Sequence, residues 1–254
     1  HFKYLSKSFE EAKDRGYITF NPIKNWKPDK HTTPLQQSLT SVELKEVLSE
    51  SKWQQDFLMN GFEEFSLGYR LLDIMLLLFV SCKRRGEILN LKIEEINFKA
   101  HYAYYKETKN SSKGMTYVIE KAFWLTPEMG KLLKRVIGDR TAGYVFPSPI
   151  WLKRCKNPDE KFNGEYLSEL FKSITCEKVP TKKIKLNNLR HTATDIMEKA
   201  GLSDDEIDAC LGHINVKTAL PSYQNRSADA IARRLSKRTR KGIEVLCIAV
   251  REFF

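Results

Sequence analysis

The chain has 254 residues, 41% of them apolar and 30% charged, with a formal charge of +11 and a pI near 9.3. That length supplies one large domain or two modest ones with ample core, and the positive balance points to a polyanionic partner, nucleic acid before membrane. Five cysteines with neither a C-x-x-C pair nor a histidine at ligand spacing argue against a zinc site or disulfide framework and for a reducing, cytoplasmic setting.

The longest charge-free apolar run, 74–80, falls far short of the roughly 20 residues that span a bilayer, and no signal peptide is read at the start, so a soluble protein is expected. Taken in order, the opening segment carries a helical pattern through Phe9, Ala12 and Tyr17. It is expected to stop at Asn21-Pro22, because the residue before a proline is pushed out of the helical region. A basic, proline-marked stretch at 24–34 reads equally as an interdomain linker or a surface loop. Thr40 and Glu43 form a capping box, predicting a helix that carries Val42, Leu44, Val47 and Leu48 into the core. Residues 69–82 are apolar nearly all round, which predicts a buried helix that delivers Arg84. From 97 to 121 the pattern turns to strands. Segments 101–106 and 115–120, rich in Tyr, Val and Ile, flank the turn residues Asn110-Ser111-Ser112-Lys113-Gly114. A hairpin or three-stranded sheet follows, with Lys109 near its tip. Thr126 as cap and Pro127 at the first helical position start another helix, and further helices are expected over 164–177 and 227–237. No fixed-period repeat or long low-complexity tract interrupts this order.

Residues 186–223 organise the rest. Leu189, Ala193, Ile196, Met197 and Ala200 recur at helical spacing ahead of Gly201, predicting a helix from about Asn187 to Ala200. Asn187, Arg190, His191 and Thr194 then lie along one side. Ser203 and Glu206 form a second capping box that opens a short helix ending near Leu211, before Gly212-His213. Tyr223 stands ten residues after His213, across a segment in which Pro221 disrupts any regular helix.

Five short runs here resemble, in order, the blocks of one family: Arg84-Arg85-Gly86-Glu87-Ile88-Leu89, Thr108-Lys109-Asn110, Asn187-Asn188-Leu189-Arg190-His191-Thr192, Leu211-Gly212-His213 and Tyr223. The chain is similar over roughly 39–234 to the tyrosine recombinases, the lambda-type phage integrase family; the ordered set is a specific signal where each run alone is weak. The resemblance implies a mainly α fold with a small antiparallel β-sheet. It also implies double-stranded DNA as partner, self-association as a tetramer on DNA, and no cofactor or metal. The pattern Ala12, Gly16, Ile18, Asn21-Pro22 looks like the end of the family's core-binding domain. Residues 1–33 are therefore expected to be its C-terminal remnant plus a linker, and 34–254 the catalytic domain with its tail. The tail holds a basic run, 233–241, that reads equally as a solvated face or a DNA contact. Its apolar segment 243–250 resembles the family segment that docks on a neighbouring protomer, with packing inside its own chain as the alternative.

The resemblance assigns the scissile phosphate to Arg84 and Arg190, whose guanidinium forks can hold nonbridging oxygens bidentately and stay charged throughout. Arg85 competes with Arg84 and yields only to the R-x-x-E spacing, which makes Glu87 a carboxylate that orients an arginine. Tyr223 is the implied nucleophile among ten tyrosines. A phenol with a pKa near ~10 needs a base or a positive site, and two arginines supply the latter; Tyr144 and Tyr166 have no such neighbours in sequence. Lys109 is implied to protonate the leaving 5′ oxygen, a role worth roughly 10²- to 10⁴-fold, with Lys106 and Lys113 as alternatives on the same hairpin. His213 donates to a phosphate oxygen or is a structural histidine at a helix end. His191, about 100° round the helix from Arg190, reads as a buried structural residue.

Asn187 departs from the family pattern, which has His there. An amide can orient the phosphate or Tyr223 but has no site to take a proton near neutral pH. The implied reaction is cleavage by Tyr223 to a 3′-phosphotyrosine and a free 5′ hydroxyl, then ligation of an incoming 5′ hydroxyl. Two other readings stay open: a DNA-binding member of the fold that has lost the chemistry, and a type IB topoisomerase-like enzyme.

Overall fold

The computed structural model of the chain describes residues 2–25, 37–54, 70–110, 116–148, 160–212 and 227–254. The chain divides into two compact units, His1–Leu35 and Gln36–Phe254. In the first, helix α1 (Phe2–Asp14) ends earlier than the sequence pattern suggests. Gly16, at φ +76, turns the chain after it, and Tyr17 lies beyond the helix, exposed. The turn is locked by Asn21, whose buried side-chain amide donates to the Ser6 carbonyl at 3.0 Å and to Glu10 Oε2 at 2.7 Å.

The second unit is built round α4 (Leu71–Ser81), every residue of which is buried. Around it pack α3 (Ser51–Gln54), α5 (Arg85–Leu89), α6 (Pro127–Ile137), α8 (Asn188–Lys199) and α10 (Ala228–Ala249). The single acid on α4, Asp73, is kept ionised despite burial: Arg135 donates to both its oxygens at 2.9 Å and Arg70 adds a contact at 3.0 Å. Helix α2 (Ser41–Leu48) starts where the capping box places it, with Thr40 accepting from the Glu43 N–H at 3.2 Å and Glu43 from the Thr40 N–H at 2.6 Å. Leu44, Val47 and Leu48 are buried, but Val42 is 66% exposed. One residue after the start, it falls on the opposite side of the helix from that stripe.

The sheet has three antiparallel strands in the order β1 (Ile96–Asn97), β2 (Tyr102–Asn110), β3 (Thr116–Trp124). Its register runs from Tyr102↔Trp124 to Asn110↔Thr116, so β3 extends past the predicted strand end. Thr126 caps α6, with Pro127 at its first position. Helix α7 (Gly164–Lys178) follows, and then α8 and α9 (Asp204–Leu211) within a residue of expectation.

Helix α10 corrects the sequence reading once and decides between two alternatives it left open. It runs 22 residues rather than stopping near 237, with Ile231, Leu235, Thr239, Ile243 and Leu246 buried along one face. The apolar 243–250 segment also belongs to this unit's own core, not to a surface that leaves it: Ile243, Leu246, Cys247 and Val250 are buried there. The helix lies across β2 and β3 and against α8 and α9. Thr239 Oγ1 accepts from the Trp124 N–H at 2.9 Å, and the Tyr102 hydroxyl donates to Asp229 at 2.6 Å.

Candidate active site

Arg84 stands where α4 hands over to α5. The handover bends through Cys82 in the left-handed region, φ +54, and Arg84 takes the extended cap position before α5. Glu87, three residues on, accepts from the Arg84 N–H at 2.7 Å and lies 3.5 Å from its Nη1. The R-x-x-E spacing is thus a helix-start device that fixes Arg84 by backbone and side chain together. The Arg84 side chain remains 46% exposed, available to a ligand. Arg85 is already spent on structure, donating to the Gly164 carbonyl at 2.7 Å and Ser168 Oγ at 2.6 Å on α7.

Arg190 approaches from the first turn of α8. Its Nη1 donates to the Cys82 carbonyl and its Nη2 to the Leu211 carbonyl at 2.9 Å. One guanidinium therefore ties the Arg84 turn to the end of α9, and its orientation is fixed before any ligand arrives. Burial lowers its pKa, and the neighbouring Arg84 guanidinium lowers it further. That repulsion marks two cations held close together, an arrangement an anion relieves.

Beneath the arginines lies a buried ionic cluster that the sequence reading missed. Lys121 of β3, with a side chain 1% exposed, contacts Glu87 and lies 2.7 Å from Glu107 of β2. Burial works against the Glu87 carboxylate, but Lys121, the Arg84 N–H and Lys83 more than offset it and hold it below the usual range. Lys83 is also buried and donates to the Cys210 carbonyl at 2.8 Å; burial pulls its pKa down to about 8. The Tyr105 phenol, raised well above its ordinary value by burial and then by Glu87 and Glu107, has no hydrogen-bond partner among the described residues. Four cations, Arg84, Arg190, Lys83 and Lys121, face two carboxylates, an excess suited to an anion. Strand alternation could have found part of this, since Tyr105, Glu107 and Lys121 share the sheet face of Ala103 and Phe123. For Lys83 the sequence holds no such signal.

The remaining sequence candidates fall as follows. Asn187 precedes α8, is exposed, and caps nothing with its side chain. It lines a narrow cleft with Lys83, Arg85 and Arg190, which places it beside Arg190; Arg84 is not part of that cleft. Lys109 lies in β2, its backbone paired with Tyr117. His213 and Tyr223 lie outside the described residues, as do Lys113 and Pro221. His191 is half-buried rather than fully so. Tyr144 sits 5.5 Å beneath Lys92, and Tyr166 packs edge-on against Phe162. Among the described residues no group of three or more His, Cys, Asp or Glu is placed to hold a metal ion. No helix there is long and apolar enough to cross a membrane.

A helical body carrying a three-stranded antiparallel sheet, with paired arginines at a helix start and on a later helix, has the architecture of a tyrosine recombinase catalytic domain. The phage integrase family model matches residues 28–229, most of the chain, and the chain belongs to that family. Its fold is similar to the Tn1549 transposon integrase in complex with circular intermediate DNA, at TM-score 0.55 and 16% identity over 92% of this chain and 76% of that one. The same transposon's integrase with right-end DNA gives 0.55 and 16%, over 92% and 77%. The integrase of mycobacterium phage Brujita gives 0.49 and 16%, over 95% and 69%. None of the curated proteins matches the chain. The family consists of site-specific recombinases that cleave and rejoin DNA, and its membership makes site-specific DNA recombination the function of this chain's class.

Proposed function

We propose that this chain is a competent recombinase that cuts and rejoins double-stranded DNA through a 3′-phosphotyrosine. Arg84 and Arg190 grip the two nonbridging oxygens of the scissile phosphate. Tyr223 Oη forms the new bond to phosphorus, the bond from phosphorus to O5′ breaks, and Lys109 delivers a proton to O5′ as it leaves. The phenol proton goes to solvent, since Asn187 offers no basic site near neutrality. His213 donates to a phosphate oxygen, and Asn187 orients the phosphate or the phenol. The reverse attack by a free 5′ hydroxyl reseals the strand.

The observation that carries this reading is the convergence of Arg84 and Arg190 from separate elements above the buried Glu87 and Lys121 pair. In the same reading residues 1–33 are the end of a core-binding domain, the active assembly on DNA is a tetramer, and the source is bacterial or a mobile element. The test is a nicked suicide substrate, from which the cleaved fragment diffuses away. Wild-type protein is expected to trap a covalent adduct, and Tyr223→Phe to trap none while binding DNA almost as well. Adducts that persist in Tyr223→Phe would assign the attack to another tyrosine. Binding without any adduct would favour the DNA-binding member that has lost the chemistry, and relaxation of supercoils without intermolecular joining would favour the topoisomerase-like enzyme.

A further inference from the structure

Lys83 is an expensive residue to keep. It is 2% exposed, its stem occupies core space that a methionine fills without charge, and burying an ammonium is unfavourable unless it meets polar partners. Its Nζ donates to the carbonyl of Cys210, and the next carbonyl in the chain, Leu211, accepts from Arg190. Both belong to the last turn of α9, where carbonyls lack partners within the helix. Two cations at that end satisfy them and suit the negative pole of the helix. The helix then closes at Gly212, which is left-handed at φ +71, and a Cβ at that position would lie 3.4 Å from Lys83 Nζ and 3.8 Å from Lys121 Cε. The left-handed backbone angle is what favours glycine here, while the lysine stems lie at ordinary contact distance beside it. His213 is the next residue.

We propose that Lys83 is a positioning residue for the cleavage reaction: with Arg190 it clamps the last turn of α9, and so fixes where Gly212-His213 begins relative to Arg84. The clamp spans two elements in one stroke, because Lys83 is the residue immediately before Arg84. Glu87 from α5 favours the same ammonium, Lys121 from β3 opposes it, and burial outweighs both, so Lys83 is held at the end of α9 against a cost. The inference rests on the recombinase reading and goes beyond it, since it assigns work to a side chain outside the family blocks.

The test is a double-mutant cycle between Lys83→Met and His213→Ala, read as single-turnover cleavage of the suicide substrate alongside DNA affinity. Lys83→Met should lower the cleavage rate by up to about 10²-fold, the scale of a 1 Å misplacement at a reacting centre, with DNA affinity changed less than about threefold. In the His213→Ala background the same substitution should cost almost nothing further, because the residue it places is gone. Losses that multiply, or an unchanged rate in Lys83→Met, would overturn the proposal while leaving the recombinase reading intact. A wild-type protein that traps no adduct removes both. If Lys83→Met melts too low to assay, the same cycle is run with Lys83→Gln, whose shorter polar head lowers the demand on the core.

Discussion

Replacing Lys121 by methionine isolates the charge at the centre of the cluster. Methionine fills the stem's space, so the packing loss is small and the change is electrostatic. What remains is the Glu87 carboxylate, 5% exposed at its side chain, with the Arg84 N–H at 2.7 Å and the Arg84 guanidinium at 3.5 Å but without its shortest partner. Breaking a buried pair by removing one member costs about 3–5 kcal/mol. The surviving Arg84 contacts put the expected loss at the lower end, about 3 kcal/mol. Glu107 also loses an ion pair made through a buried oxygen, but its side chain is 26% exposed and can turn the carboxylate toward water once Lys121 is gone. For a unit of this size each kcal/mol is worth roughly 2–4 °C, so the melting temperature should fall by roughly 6–12 °C. Urea and thermal melts at pH 7 of wild type, Lys121→Met and Lys121→Met/Glu87→Gln test this. The double variant removes the stranded charge and should recover about 2 kcal/mol. A single variant within about 1 kcal/mol of wild type, or a double no better than the single, would refute the reasoning.

Three further outcomes follow from particular contacts. Lys83 has a folded pKa pulled down to about 8 from 10.5, so between those values the unfolded chain binds more protons and this residue makes stability rise with pH. The gap is worth about 3 kcal/mol at full extent, and the stability of wild type relative to Lys83→Met should therefore rise from pH 7.5 to pH 10; a constant difference would show that the ammonium is not held at a cost. Gly242→Ala would set a Cβ 2.5 Å from Cys210 Sγ and 2.8 Å from Met197 Sδ, where α10 crosses α8 and α9. It should destabilise by about 1–3 kcal/mol in urea melts, and an unchanged midpoint would mean the crossing is looser than described. Asn187→His should raise single-turnover cleavage near pH 7 and flatten its rise towards pH 9, since imidazole can take the phenol proton. Superimposable profiles between pH 6 and 9 would show that this position carries no proton.

The features legible in the sequence are those set within four residues of each other. Thr40 with Glu43, Ser203 with Glu206 and Thr126 with Pro127 each carry their cap in the local chemistry, and each helix starts where that chemistry says. Arg84 and Arg190 were likewise legible, because blocks of fixed spacing surround them. What could not be read was burial that contradicts polarity. Lys83 and Lys121 look like surface residues until the sheet and α9 close over them, and Val42 looks like core until the helix face is known. Helix α10 was cut short for the same reason. Its basic residues hide a stripe, Ile231, Leu235, Thr239 and Leu246, whose third member is polar and buried.

The start of α10 also limits the reach of Tyr223 in the proposed reaction. Ser227 caps that helix, accepting from the Ala230 N–H at 3.3 Å, and Tyr223 stands four positions before it in the chain. Backbone spans at most about 3.5 Å per residue, so this leash keeps the Tyr223 Cα within about 14 Å of Ser227, whatever path the chain takes. Any phosphate it attacks must come inside that radius plus the length of one side chain. The limit applies equally if the arginines belong to a second copy. An assembly that exchanges tyrosines must then bring the neighbour's Arg84 and Arg190 to the head of α10, which an intermolecular crosslink from Ser227→Cys can measure directly.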